Sequence, residues 1–242
     1  MRIGLYGGTF DPIHLGHLRA AENAREALAL DLVAFVPSAV PPHRSAPASP
    51  PEQRLEMARL ATSPYNGFAA WDDELRRSGP SYTVETVDAI VRARASDTFV
   101  LVVGADTWPE IPSWREPERL LSLVEVAVVE RPGFRSGAEA KLPFPSSRGV
   151  RHVSGPGLPL SATAIREQAT AGHSVRFLVP DAVTETLRAS GLRPAHVEGY
   201  PRQEWILLDY GDFVVHVMTP KSRAFYDLER LWGGSLRLEV TG

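Results

Sequence analysis

Short apolar runs alternate along the chain with longer stretches in which apolar residues recur every three or four positions. Ile3, Leu5 and Tyr6 open it as a short strand over residues 3–6, and Leu15, Leu18, Ala21 and Leu28 fall near one face of a helix over 15–30, the spacing that 3.6 residues per turn requires. A second strand at 32–36 ends at Pro37, and residues 37–51 hold too many prolines for a helix or an inner strand. The pattern then predicts a helix at 52–61, a strand at 68–71, and a helix at 83–95 with Val84, Val87 and Val91 on one face. Residues 98–103 are almost purely apolar, as expected of a central parallel strand covered on both faces. Pro117 opens a short helix, 124–129 is a further buried strand, and 131–148 is a polar loop rich in Gly and Pro. Helices at 161–171 and 181–190 are stopped by Gly172 and Gly191. Such alternation predicts an α/β fold, an open parallel sheet with helices on both faces.

The texture changes after that. Strands at 205–209 and 213–218 flank Tyr210-Gly211-Asp212, a hairpin signal. Residues 221–232 form an amphipathic helix with Phe225, Leu228, Leu231 and Trp232 on one face. A boundary is expected at 192–199, which gives a first domain over 1–193 and a small α+β appendage, hairpin and helix, over 194–242.

Composition narrows the function. Of 242 residues, 43% are hydrophobic and 23% charged, enough to bury a core and to exclude disorder. Lys and Arg number 26 against 29 Asp and Glu, a formal charge of -3, which argues against a broadly basic nucleic-acid binder and against direct DNA contact. The chain has no Cys, so disulfides, thiolate metal sites and Cys nucleophiles are excluded and a reducing compartment is suited. No apolar run approaches the roughly 18–20 residues of a membrane span, and the chain opens on a strand pattern rather than a signal-peptide core. A cytoplasmic protein without membrane contact is expected.

The most informative stretch is Gly7-Gly8-Thr9-Phe10-Asp11-Pro12-Ile13-His14-Leu15-Gly16-His17. It leaves a strand and enters a helix. Gly7 and Gly8 lack a Cβ, so backbone there can pass close to a ligand, and ligands of such sheets sit beyond the carboxyl ends of the strands. The helix start offers unpaired N–H groups and a positive dipole end, which suits phosphate. His14 and His17, three apart, share one helix face, where two ring donors can meet a phosphate whose charge grows during transfer. A Gly turn with two unrelated surface histidines is the plainer alternative. No Gly-Lys-Ser/Thr follows, so this is not a Walker A loop. A second constellation is Leu160-Ser161-Ala162-Thr163-Ala164-Ile165-Arg166. Ser161 or Thr163 can cap the helix there. Arg166 would fall in its first turn, where a cation opposes the dipole and a bound anion would explain it; an ordinary surface arginine is the alternative.

These two segments resemble the signatures of the His-x-Gly-His nucleotidylyltransferases, and the resemblance, from Met1 to about Arg193, is to the bacterial nicotinate-nucleotide adenylyltransferases among them. Ala162 stands where that family usually has a second Ser. Pro41-Pro42-His43-Arg44 resembles a substrate-loop motif that often ends in Lys, and Ser81-Tyr82-Thr83, Gly104-Ala105-Asp106 and Trp114 fall where the subfamily has them. The resemblance implies a Rossmann-like fold and adenylyl transfer from ATP to nicotinate mononucleotide, giving deamido-NAD and pyrophosphate. It implies His14 and His17 as catalytic donors, with His17 nearest the reacting centre, and Gly7, Gly8, Thr9 and Phe10 around the nucleotide. Gly104 and Asp106 would belong to the ATP site, Asp106 binding the ribose hydroxyls, and Ser161, Thr163 and Arg166 would hold the outer phosphates. Arg44, Tyr82, Thr83 and Trp114 would bind the mononucleotide, with Trp114 stacked on its pyridinium. Mg²⁺ would travel with ATP, and no protein metal site is expected.

Two rival readings stay open. One is another adenylyltransferase of the same superfamily, such as the pantetheine-phosphate enzyme. The other is a ribosome-associated regulator with a degenerate nucleotide domain. It arises because residues 191–232 resemble the second half of the ribosomal silencing factor (Iojap-like) family, whose members bind the large ribosomal subunit. The segment that family carries before this half is missing. Ribosome contact is one expectation for the appendage; pairing with the same segment of a second copy, giving a homodimer, is the other.

Overall fold

A computed structural model describes residues 1–42, 47–130, 132 and 146–189, and the backbone of two later strands, 205–209 and 214–218. The chain divides into two compact units, Met1–Arg193 and Pro194–Gly242. The first unit holds six strands: β1 (Arg2–Gly8), β2 (Leu32–Pro37), β3 (Phe68–Ala70), β4 (Thr98–Gly104), β5 (Glu125–Val129) and β6 (Val150–Val153). They form one sheet in the order β3-β2-β1-β4-β5-β6, and every neighbouring pair is parallel. Six helices accompany them: α1 (Leu15–Ala27), α2 (Pro51–Thr62), α3 (Thr83–Ala93), α4 (Pro117–Leu123), α5 (Ala162–Ala171) and α6 (Asp181–Ala189), with a 3-10 helix at Trp108–Ser113.

The strands alternate sides with period two. Phe99, Leu101 and Val103 of β4 join Val84, Val87 and Ile90 of α3 in one core. Val100 and Val102 join Ala21 and Ala24 of α1 in the other. The purely apolar run of β4 is therefore explained by burial on both faces, as the pattern implies. Gly4 lets α1's neighbour Leu30 close onto β1, since a Cβ there would lie 2.9 Å from Leu30 Cδ1. Strand order turns around between β1 and β4, so a crevice opens beyond their carboxyl ends.

Three features depart from the sequence expectation. β6 was not predicted: it follows the 131–148 loop and only its last residue, Val153, is buried. The 3-10 helix at Trp108–Ser113 was not predicted either. Arg166 is the fifth residue of α5, just past the first turn. In the second unit, β7 (Trp205–Asp209) and β8 (Val214–Met218) pair antiparallel, Trp205 opposite Met218 and Asp209 opposite Val214. The expected turn at 210–212 and helix at 221–232 lie outside the described residues.

Candidate active site

One cleft of about 730 Å³ opens at the switch point between β1 and β4. Its walls bring together the two glycines that end β1, the start of α1, the end of β4, the start of α3, Trp114 and the start of α5. Every candidate residue among the described ones lines it: Gly7, Gly8, Thr9, Phe10, His14 and His17 from the first signature; Gly104 at the end of β4 and Asp106 just past it; Tyr82 and Thr83 at the start of α3, and Trp114; and Ser161, Thr163 and Arg166 from the cap and first turns of α5. Arg44 lies outside the described residues. Among the described residues no group of three or more His, Asp or Glu gathers as a metal cage, and no helix is long and apolar enough to cross a membrane.

The two histidines cap their own helix. His14 is the N-cap of α1, and its Nδ1 accepts the His17 amide at 3.3 Å. His17 Nδ1 in turn accepts the His14 amide at 3.2 Å. This is the reciprocal capping box built from imidazoles. A nitrogen that accepts an amide hydrogen carries no proton, so each neutral ring bears its hydrogen on Nε2. The rings stack 3.6 Å apart at 17°, so the two ring planes lie nearly parallel, and both residues line the cleft. His14 is only 1% exposed, whereas His17 is half-buried, its edge against Phe10 and Tyr6. Gly16 leaves room for this stack: a Cβ there would sit 3.0 Å from His14 Nδ1 and press on the ring. The spacing of the motif thus has a packing cause as well as a chemical one.

The two glycines before it differ. A Cβ on Gly7 would meet nothing within 4 Å and would simply protrude into the cleft. A Cβ on Gly8 would lie 2.9 Å from the Phe10 ring. Packing within the chain therefore does not account for Gly7, while Gly8 answers to the Phe10 ring. Phe10 itself is buried among Tyr6, Phe35 and His17, so it meets the cleft chiefly with backbone, held at a φ of 50°. Ser161 caps α5, accepting the Ala164 amide at 3.1 Å. Arg166 donates to the Asp11 carbonyl and to Thr163 Oγ1, so the dipole argument for an anion beside it is replaced by these internal partners.

Trp114 closes the 3-10 helix and is half-buried, packed against the α3 side of the core. Tyr82 is the N-cap of α3 but makes no side-chain capping bond, so the first amides of that helix are left for another partner. The Arg115 guanidinium stands 4.6 Å over the Tyr82 ring, with Glu85 and Glu116 at 3.6 and 3.7 Å from its Nε. Sequence reasoning had assigned no role to Arg115, Arg54, Asp11 or Glu74, all but Arg54 lining the cleft. Glu74 is 7% exposed, and burial raises its carboxyl above the ordinary 4.5.

A parallel sheet of this order, with two glycines ending its first strand and a histidine-capped helix at its switch point, is an arrangement suited to the phosphates of a nucleotide. Comparison with known proteins agrees. Residues 5–168 match the model of the cytidylyltransferase-like family. A probable nicotinate-nucleotide adenylyltransferase of Thermus thermophilus is 43% identical over 79% of this chain and 99% of its own length. One from Geobacter metallireducens is 40% identical over 76% of this chain and 94% of its own. The chain belongs to the cytidylyltransferase-like family and, within it, to the nicotinate-nucleotide adenylyltransferases. Among solved structures, the Plasmodium falciparum nicotinic acid mononucleotide adenylyltransferase complexed with NaAD superposes with a TM-score of 0.67 at 18% identity, over 79% of this chain and 98% of that one. Residues 173–241 match a second model, ribosomal silencing factor during starvation. That match begins inside the first unit, where Val175, Val179, Val183 and Leu187 are part of the core.

Proposed function

We propose that the first unit catalyses adenylyl transfer from ATP to nicotinate mononucleotide, a step of NAD biosynthesis. An oxygen of the 5′-phosphate forms a bond to the α-phosphorus. The bond from that phosphorus to the bridging oxygen of the β-phosphate breaks, and pyrophosphate leaves with the electron pair. The nucleophile is already an anion, so no general base is needed, and catalysis rests on position and on charge stabilisation. The observation that carries the reading is the stacked, helix-capping pair of imidazoles at His14 and His17, in the same cleft as Trp114 and the start of α3, which has no side-chain cap.

In this reading His17 and His14 donate to oxygens around the α-phosphorus. Gly7 and the Thr9 loop lie along the nucleotide, and Asp106 receives the ribose hydroxyls. Ser161, Thr163 and Arg166 hold the outer phosphates. Mg²⁺ comes as part of the substrate, since it keeps several waters and binds mainly through phosphate oxygens. The Trp114 face stacks on the cationic pyridinium, worth about 0.5–2 kcal/mol. The nicotinate carboxylate takes the first amides of α3 beside Tyr82 and Thr83, and Arg44 serves the same anionic end. The reaction is placed in the cytoplasm, which the absence of Cys suits. The test is product formation by the full chain with ATP, Mg²⁺ and each acceptor in turn. Deamido-NAD from nicotinate mononucleotide supports the reading; turnover of 4′-phosphopantetheine instead overturns it.

For the second unit, the proposal is self-association. A two-stranded ribbon such as β7–β8 is marginal alone and leaves backbone groups on its edges. Two copies about a two-fold axis would close one sheet. Light scattering on the full chain and on one ending at Arg193 decides: a monomer in both cases rules it out. The match to the silencing-factor family supports a ribosomal role as the competing reading, and co-sedimentation with large ribosomal subunits would favour it.

A further inference from the structure

Among the described residues the largest fully buried side chain is a charged one. Arg54, in the first turns of α2, is 0% exposed. Among the described residues no carboxylate lies within ion-pair distance of it. Its donors go instead to three carbonyls from three separate segments. Nε donates to Ser49 O at 3.1 Å, Nη1 to Thr9 O at 2.7 Å, and Nη2 to Ala39 O at 3.1 Å. Burial draws its pKa down, while the charges of Asp11, Glu52 and Glu74 work the other way.

Those acceptors are not random backbone. Thr9 belongs to the loop assigned to ATP. Ala39 and Ser49 stand at the two ends of the proline-rich loop whose Pro41, Pro42 and Pro47 line the cleft. The near end of that loop is tied in turn to the start of α3. Ser81 Oγ accepts the amides of Ala39 and Val40 at 2.9 and 3.2 Å, and the Ser81 amide donates to Val40 O at 2.8 Å. The next two residues are Tyr82 and Thr83. The far end is held by Asp11, whose Oδ2 accepts the Ala48 amide at 2.7 Å. One guanidinium therefore stands at the junction of the nucleotide half and the mononucleotide half of the cleft.

We infer that Arg54 is a positioning residue for the transfer: it sets the spacing between the two substrate-binding loops without touching either substrate. The inference rests on the adenylyltransferase reading for its kinetic consequence, but not for its geometric one. A planar fork reaches three carbonyls in three directions, and a lysine ammonium, a single point with three hydrogens, does not. Charge alone thus cannot substitute. A misplacement of about 1 Å between reacting groups costs on the order of 10²-fold in rate.

The experiment compares the full chain with Arg54→Lys and Arg54→Met. Hydrogen–deuterium exchange is measured first, without substrates. Faster exchange in the variants at the amides of both the 8–11 loop and the 39–49 loop is expected; acceleration at only one of them overturns the bridging role. Turnover per folded molecule follows, with folded protein measured by circular dichroism. kcat should fall about 10²-fold in Arg54→Lys, while the separate dissociation constants for ATP alone and for nicotinate mononucleotide alone stay within about threefold. Unchanged kcat in Arg54→Lys, or a loss confined to the amount of folded protein, overturns the inference. If Arg54→Met does not fold, Arg54→Lys decides by itself. Absence of turnover in the unsubstituted chain counts against the adenylyltransferase reading, and the exchange result then judges Arg54 independently.

Discussion

Replacing His17 with alanine removes two things at once, and the structure allows them to be separated. The first is the cap. His17 Nδ1 accepts the His14 amide at 3.2 Å, and its ring stacks on His14 at 3.6 Å. Loss of a capping acceptor costs about 0.5–2 kcal/mol, and this bond is at the long end of the usual range, so about 1 kcal/mol is expected. In a domain of this size that lowers Tm by roughly 2–4 °C. The second is the Nε2–H donor, whose loss costs about 10²–10³ in kcat if it stabilises charge at the α-phosphate. Asparagine separates the two. Its Oδ1 occupies the place of the ring's Nδ1 and keeps the cap, while nothing occupies the place of Nε2. We therefore expect His17→Ala to be both less stable and slow, and His17→Asn to keep most of the stability yet remain as slow as the alanine variant. Thermal melting and steady-state kinetics, with KM for both substrates, provide the readings. KM should change little in either variant, because the donor acts in the transition state. Recovery of kcat in His17→Asn would show that helix geometry, not the donor, limits the rate, and would refute the catalytic role.

The two adjacent glycines should fail differently. Gly8→Ala meets the Phe10 ring at 2.9 Å and should destabilise by about 1–3 kcal/mol; Gly7→Ala, with open space around it, should keep its Tm and raise KM for ATP, and equal melting losses in both would contradict the packing account. Trp114→Ala should raise KM for the mononucleotide more than for ATP, because stacking on the pyridinium acts in the ground state; an equal rise for both would sink the assignment. Glu74 supplies a pH test. Burial raises its carboxyl, against hydrogen bonds from Ser81 and Thr86 and the charge of Arg77, so the folded state holds the proton more tightly than the unfolded chain. The contribution of Glu74 is fully present below the ordinary 4.5 and is lost as pH rises through the folded value. Urea melts of Glu74→Gln should accordingly gain on the unsubstituted chain as pH rises through that window, and a difference independent of pH would contradict the burial.

Much of the fold is legible in the sequence because its strands are buried on both faces and its helices carry one apolar stripe. The run at 98–103 can hardly be anything but a central strand, and β4 is one. β6 escapes the same reasoning: its Arg151 and His152 are exposed at the sheet's edge, so no long apolar run marks it. The site shows the same division. Gly7 through His17 is local in sequence, and its chemistry follows from the strand–turn–helix setting alone. Arg54 is not local. In sequence it is one arginine in a helix of mixed composition, and only the arrival of Thr9, Ala39 and Ser49 around it makes its burial possible. Gly8 teaches a related lesson, for its reason is a ring two residues away rather than the ligand.

The central claim is that this cleft moves an adenylyl group onto a nicotinate mononucleotide. The most direct measurement uses the full chain with Mg²⁺, nicotinate mononucleotide and ATP labelled either at the α- or at the γ-phosphate. The account predicts that the α-label appears in deamido-NAD and the γ-label in pyrophosphate, with His17→Ala slower in both by about 10²–10³. Release of the γ-label as inorganic phosphate, or no transfer of the α-label to the mononucleotide, would contradict it.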